Sequence, residues 1–316
     1  MRAAFAEGTS RNLDIQWQAF FLFCEAFQRE PLPVNTQTIC LYIQFLSRSM
    51  KSPDSIRNYV SGVKTLHILT DTDYSQVRQF EVNLALRGVA RLNPHCPHRA
   101  SPITPRILLE FVKFINFSDP LHATLWCSFL LSFYVMIRKS NIVASSGGFK
   151  PEQILLRQDI SVQGDMLMVC LKWSKTNQFG KRKHVIPLIR IPSSKLCPVL
   201  AFHNMCDLVP APPEAPAFSM PGTRSKPISY SCFQKFLKFL IVQTGRDPAL
   251  FSSHSFRRGG ATWAFQSNVP GELIQLQGDW ASDAYKIYLD HSLEQKMQVA
   301  NFVKNSIITF QAAFYK

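Results

Sequence analysis

With 316 residues, 46% of them hydrophobic, the chain can bury one large core or two modest ones and is no disordered segment. Its 35 Lys+Arg against 21 Asp+Glu leave a formal net charge of +14. That charge favours a polyanionic partner, nucleic acid ahead of an acidic membrane, since no basic amphipathic anchor is present. Residues 1–99 carry 11 Lys+Arg against 8 Asp+Glu and the rest 24 against 13, so most phosphate contacts are expected from the second part. The opening MRAAFAEGTSRNLD lacks the apolar core of a signal peptide, which reads against secretion. Eight scattered cysteines with no C-x-x-C pair suit reduced, intracellular thiols. His95-Cys96-Pro97-His98 and His203-x-x-Cys206 supply no second ligand pair at zinc spacing, so no metal site is expected.

The first hundred residues read as four helices. Ser10 is expected to cap one with Leu13, Trp17, Phe20, Phe21, Cys24 and Phe27 at helical spacing, ended by Pro31 and Pro33. A second runs from Thr36 with Ile39, Ile43, Leu46 and Met50 inward. A third starts at Pro53 with Ile56, Tyr59, Val60 and Val63, and a fourth ends near Arg91. Arg48, Lys51, Arg57 and Lys64 fall on the opposite faces, where a solvated face and a phosphate-binding face are equal readings. The stretch LNPHCPHRASPIT is proline-rich and aperiodic, placing a linker at 96–104 between a domain of residues 1–95 and one of 105–316.

Beyond the linker, a helix from Pro105 carries Leu108, Phe111, Val112 and Phe114. The run 121–137, LHATLWCSFLLSFYVMI, follows; it is short for a membrane span and reads as a buried core helix delivering Arg138. The pattern then shifts to strands over 158–162, 166–173 and 184–189, a small antiparallel sheet with lysines 172, 175 and 181 near its second turn. The GKRKH stretch, with Lys181, Arg182 and Lys183, can hold phosphate or serve as a nuclear-import patch. Residues 207–227, with six prolines, form a loop. Helices over 230–244 and from about 293 to 310 flank the stretch SHSFRRGGATWAFQSNVPGELIQLQGDWASDAYKIYLDHS. Within it His254 and Arg257 share a helix face, and Trp280 precedes Tyr288 across a Gly278-Asp279 turn.

These residues carry a resemblance. Arg138, Lys175, His254-x-x-Arg257, Trp280 and Tyr288 stand in the order of the tyrosine recombinase (phage integrase) signature. The chain resembles that family, and within it the recombinases of DIRS-type retroelements and Crypton-type transposons. The resemblance implies a mainly α fold with a small antiparallel sheet: a helical, SAM-like core-binding domain, recognisable in WQAFFLFC and SPDSIRNYVSGVKTLH, and a catalytic domain. It implies duplex DNA as partner, a homo-oligomer (a tetramer) on that DNA, and strand exchange through a 3′-phosphotyrosyl link with neither metal nor cofactor. It also tips Arg48, Lys51, Arg57 and Lys64 towards DNA contact, with Lys181, Arg182, Lys183 and Arg258 beside them. The nucleus is the expected location in a eukaryotic host, the cytoplasm otherwise.

The residue types fit the chemistry. Attack on a phosphodiester loads charge onto its non-bridging oxygens, which Arg138 and Arg257 can hold through charge-assisted bonds. A tyrosine pKa near 10 leaves little phenolate at neutral pH, so Tyr288 needs a proton acceptor, for which His254 is the candidate. The family's hairpin lysine, best matched by Lys175 with Lys172 and Lys181 as rivals, would protonate the leaving 5′-oxygen. Trp280 can donate its indole N–H. Two departures stand out. The Trp280–Tyr288 interval is one residue shorter than in the commonest bacterial form, which makes Tyr285 the rival nucleophile. The acidic residue often found three after the first arginine is Asn141. The alternative from another class is a recombinase-derived DNA-binding protein that no longer cuts. A type IB topoisomerase shares the chemistry but not the core-binding domain.

Overall fold

A computed structural model describes residues 4–96, 99–144, 150–174, 177–178, 182–222, 226–289 and 293–314. The chain divides into two compact units, Met1–His98 and Arg99–Lys316.

Unit 1 consists of α1 (Glu7–Ala26), α2 (Thr36–Ser49), α3 (Pro53–Leu69) and α4 (Gln79–Leu92). Asn35 caps α2 by accepting from the Thr38 amide at 2.9 Å, and Pro53 fills the first turn of α3, where its missing N–H costs nothing. The helices bury Phe20, Phe23, Tyr42, Ile39, Ile43, Ile56 and Val63 as one core. Two expectations fail at α1. It begins at Glu7, so Ser10 lies inside it rather than capping it. Phe23 takes the inward position while Phe21 (41% exposed) and Phe27 (51%) stay out. A helix packed on its neighbours buries one stripe, here 13, 20, 23 and 24, and Phe21 falls about 100° off it. Arg48, Lys51, Arg57 and Lys64 are all exposed.

Unit 2 takes in the second half of the expected linker. The Ser101 amide donates to Leu250 O at 2.7 Å, the Ile103 amide donates to Ser255 O at 2.9 Å, and Ile103 is fully buried. Residues 99–104 are therefore part of the fold and no free tether. Then come α5 (Pro105–Val112) and α6 (Pro120–Tyr134), each opened by a proline and capped by Thr104 and Asp119. Every residue from Ala123 to Phe133 is buried, since α6 packs against both α7 (Pro198–Leu208) and α9 (His254–Gln266). Among the described residues no helix is long and apolar enough to cross a membrane. The helix ends at Tyr134, earlier than the apolar run suggested: Met136 sits at φ +53°, outside any right-handed helix, and Arg138 follows on a loop.

β1 (Ile160–Gln163), β2 (Met166–Leu171) and β3 (His184–Ile189) pair antiparallel in that order, Ile160 opposite Val169 and Leu171 opposite His184. Leu167, Val169, Leu171, Ile186 and Leu188 alternate inward onto the core around α6. After α8 (Tyr230–Gln243) and α9 come α10 (Gly271–Gln277), a 3-10 helix (Asp283–Tyr288) and α11 (Leu293–Phe314). The fold is mainly helical with one small antiparallel sheet.

Candidate active site

The site grows from the close seating of α9. A Cβ at Gly259 would drive into the backbone of Ile103, and one at Gly260 into the carbonyl of Phe133. Together these glycines let α9 press against Ile103 and the end of α6, which carries the neighbouring Arg257 inside, 2% exposed. Its guanidinium donates to the carbonyls of Met136 and Gly278, the latter at 2.7 Å, and stacks over the Trp280 ring at 3.7 Å. The fork thus ties together two turns, each containing a left-handed residue, Met136 (φ +53°) and Asp279 (φ +52°). Such backbone costs about 1–3 kcal/mol and persists only where the surroundings impose it. Gly278 is required beside Trp280, because a Cβ there would meet the indole.

Arg138, half-buried, reaches the same turn from the loop after α6 and donates to Asp279 O at 3.5 Å. The Asp279 carboxylate is 7% exposed. It accepts from the Ser174 hydroxyl and pairs with Arg182, one residue on each side of segment 175–181 between β2 and β3. Lys175 and Lys181 lie outside the described residues. Lys172, the remaining rival for the role of hairpin lysine, is paired with the buried Asp159 carboxylate. Asn141 replaces the acidic residue with a structural role: its amide donates to Gln153 O at 3.1 Å and Trp173 O at 2.8 Å, anchoring the chain that leaves β2.

His254 opens α9, one turn before Arg257. Partial burial, and then the charges of Arg257, Lys139 and Arg138, hold its imidazole below the ordinary histidine range. It is therefore poised neutral, able to accept a proton. Lys139 itself lies over the Tyr230 ring at 4.0 Å. Tyr285 is 7% exposed and packs with Trp280, Met136, Ala261 and Ile274 in a small core of its own. Tyr288 closes the 3-10 helix; its side chain lies outside the described residues.

No family model matches the chain. A curated protein, an integrase/recombinase xerD homolog of Selenomonas ruminantium, is 22% identical over 86% of this chain and 78% of its own. Among solved structures, the XerH site-specific recombinase in a post-cleavage complex with a palindromic difH substrate matches with a TM-score of 0.64 at 13% identity, over 94% of this chain and 80% of that one. A lambda integrase dimer bound to a COC′ core site matches with a TM-score of 0.59 at 15% identity, over 90% and 89%. The Tn1549 transposon integrase with circular intermediate DNA matches at 0.55 and 13%, over 86% of each chain.

The chain has the tyrosine-recombinase fold.

It is similar in sequence and fold to the Xer- and integrase-type tyrosine recombinases. On that fold, Arg138 and Arg257 converge on the turn that carries Trp280, with His254 within electrostatic reach. The expected surface cations divide. Lys183 is exposed, and Arg182 keeps about half its side chain in solvent while pairing with Asp279. Arg258 is not the open DNA contact its place in the sequence suggested. It is half-buried and donates to Ala100 O at 3.1 Å, because the RRGG helix is pressed onto residues 100–103. Ser174, the side chain of Asp279 and Met136 escaped the sequence reading. Only the paired glycines, costly in a helix interior, marked the close approach that brings them together.

Proposed function

We propose that this protein is a site-specific DNA recombinase that cuts and rejoins strands through a 3′-phosphotyrosyl intermediate. The observation that carries the reading is the convergence of Arg138 and Arg257, from two other segments of the chain, on the Gly278-Asp279-Trp280 turn. In this reading the Tyr288 hydroxyl attacks phosphorus, its proton passing to His254. The bond from phosphorus to the 5′-oxygen breaks, and that oxygen takes a proton from Lys175. Attack by another strand's 5′-hydroxyl on the phosphotyrosine reverses the sequence, conserving the bond energy without ATP or a metal. Arg138 meets the phosphate, while Arg257 adds positive charge beside it and holds both turns.

Unit 1, with Arg48, Lys51, Arg57 and Lys64 exposed, is read as the core-binding clamp on duplex DNA, and Lys183 as a further phosphate contact. The relative and the structural neighbours are recombinases and integrases, several in complex with DNA, which supports this. Assembly with further copies on DNA, read as a tetramer, is supported by the exposure of Phe302 (76%) and Ile307 (53%) on α11. The short Trp280–Tyr288 interval favours a mobile element of the DIRS or Crypton kind. The GKRKH patch favours a nuclear location.

The test is a nicked suicide substrate carrying candidate element ends, incubated in excess EDTA and run on a denaturing gel. Wild type and Tyr285→Phe should form a covalent adduct and Tyr288→Phe none, with the DNA mapped to the peptide containing Tyr288. An adduct in Tyr288→Phe would show that another side chain attacks. DNA binding with no adduct in any variant would support the non-cutting alternative.

A further inference from the structure

We propose that Asp279 is a positioning residue for strand cleavage, a carboxylate latch that sets the β2–β3 hairpin against the turn bearing Trp280. The proposal rests on the cleavage reading above. Asp279 is one of the few non-glycine residues at positive φ, a conformation that Asp and Asn tolerate through their short polar side chains. Glycine or asparagine would satisfy the backbone equally well. What aspartate adds is a pair of acceptor oxygens with a negative charge. One oxygen takes the hydroxyl of Ser174, itself 5% exposed; the other takes the Arg182 guanidinium. The same residue's carbonyl accepts from Arg138. A single residue therefore joins the phosphate-facing arginine to both ends of segment 175–181, in which Lys175 stands.

The hairpin base is already closed on itself. Asn177, 8% exposed, donates through its amide to Lys172 O at 3.2 Å and Arg182 O at 2.6 Å. That ties the two arms to each other but not to the rest of the site. Placement against the Trp280 turn falls to Asp279, helped by the His184 ring at 3.3 Å from Gln277 O. Arg182 is more than half exposed, 55%, so its ion pair contributes little to stability. Alignment is another matter, because misplacing a reacting group by about 1 Å can cost about 10²-fold in rate. The latch should thus show in the reaction far more than in the melting temperature.

Asp279→Asn keeps the backbone preference and shape while removing the charge. It should slow adduct formation about 10²-fold, leave DNA affinity nearly unchanged, and speed hydrogen exchange in peptides spanning 166–189. Ser174→Ala, which deletes one hydroxyl, should act in the same direction and less. A substrate with sulfur in place of the bridging 5′-oxygen separates positioning of the lysine from general damage. Its thiolate leaves without a proton, since a thiol pKa lies near 8.5. It should bring Asp279→Asn back close to the wild-type rate. Unchanged exchange at 166–189 in Asp279→Asn overturns the latch, whatever the wild type does. Faster exchange with no recovery on the sulfur substrate overturns the link to the leaving-group proton. If the wild type forms no adduct on either substrate, the cleavage reading is what fails; the positioning role goes with it, and the exchange data still report on the latch.

Discussion

In unit 1 the cations singled out by the sequence, Arg48, Lys51, Arg57 and Lys64, stand in solvent on helix faces. In unit 2, Arg157, Arg257 and Arg258 turn inward onto carbonyls: Arg157 donates to Val209 O at 2.9 Å, Arg257 to Met136 and Gly278, Arg258 to Ala100. Unit 1 uses positive charge as surface, and unit 2 commits part of it to holding loops together. The larger net charge of the second part therefore overstates how many guanidiniums it offers for direct bonds to a phosphate, since the donors of these three are engaged by carbonyls.

The contrast breaks most sharply between the two arginines of the site. Arg257→Ala should leave two carbonyls without their charged donor, lowering stability by about 3 kcal/mol in a denaturant titration and cutting adduct formation by about 10³-fold. Arg257→Lys keeps the charge but loses the fork, and should recover little of either. Arg138→Ala, at a half-buried side chain whose bond to Asp279 O is long, should destabilise less than Arg257→Ala while slowing cleavage about 10²–10³-fold. Equal destabilisation by both would erase the distinction between a holding arginine and a phosphate-facing one.

A smaller effect tests unit 1. Neutralising Arg48, Lys51, Arg57 and Lys64 together should leave its fold intact and flatten the salt dependence of duplex binding, by about 0.9 in log–log slope for each phosphate no longer neutralised. Fluorescence anisotropy over a salt series reads this. An unaltered slope would return these residues to the role of a solvated face.

The smallest expected change is a pH shift. His254 is held below its ordinary 6.5 by burial first and by Arg257, Lys139 and Arg138 after it. With the folded value depressed, the unfolded chain takes up this proton first, so the group costs stability as pH falls from about 6.5 towards the folded value. The neutral ring persists below pH 6.5, and the acid limb of the adduct-formation rate should lie there. Lys139→Gln should move that limb back up. A limb that ignores Lys139 would place the proton acceptor elsewhere.

Much of the fold was legible in local pattern. Helical spacing marked α2 and α3 with their buried faces, the apolar run marked α6 as a core helix, and period-two alternation marked three strands. At α1 the pattern misled, because too many aromatics compete for one buried stripe and only the neighbouring helices decide which are taken. The linker misled for a similar reason: proline and polarity spoke for a tether, while the amides of Ser101 and Ile103 find partners in a stretch about 150 residues later.

What the amino-acid order determined by itself was the set of elements and the ordered series Arg138, His254, Arg257, Trp280 and Tyr288, because periodicity, capping and motif spacing act within a few turns of chain. What only the tertiary structure decided was which of those groups face inward. Arg257 finds its first carbonyl 121 residues away, and Asp279 finds Ser174 and Arg182 at 105 and 97. Tyr285 is taken into a small core with Met136, Ala261, Ile274 and Trp280. No local signal marks it for burial. That burial depends on chain segments that meet only once α9 has been pressed, through Gly259 onto Ile103 and through Gly260 onto the end of α6.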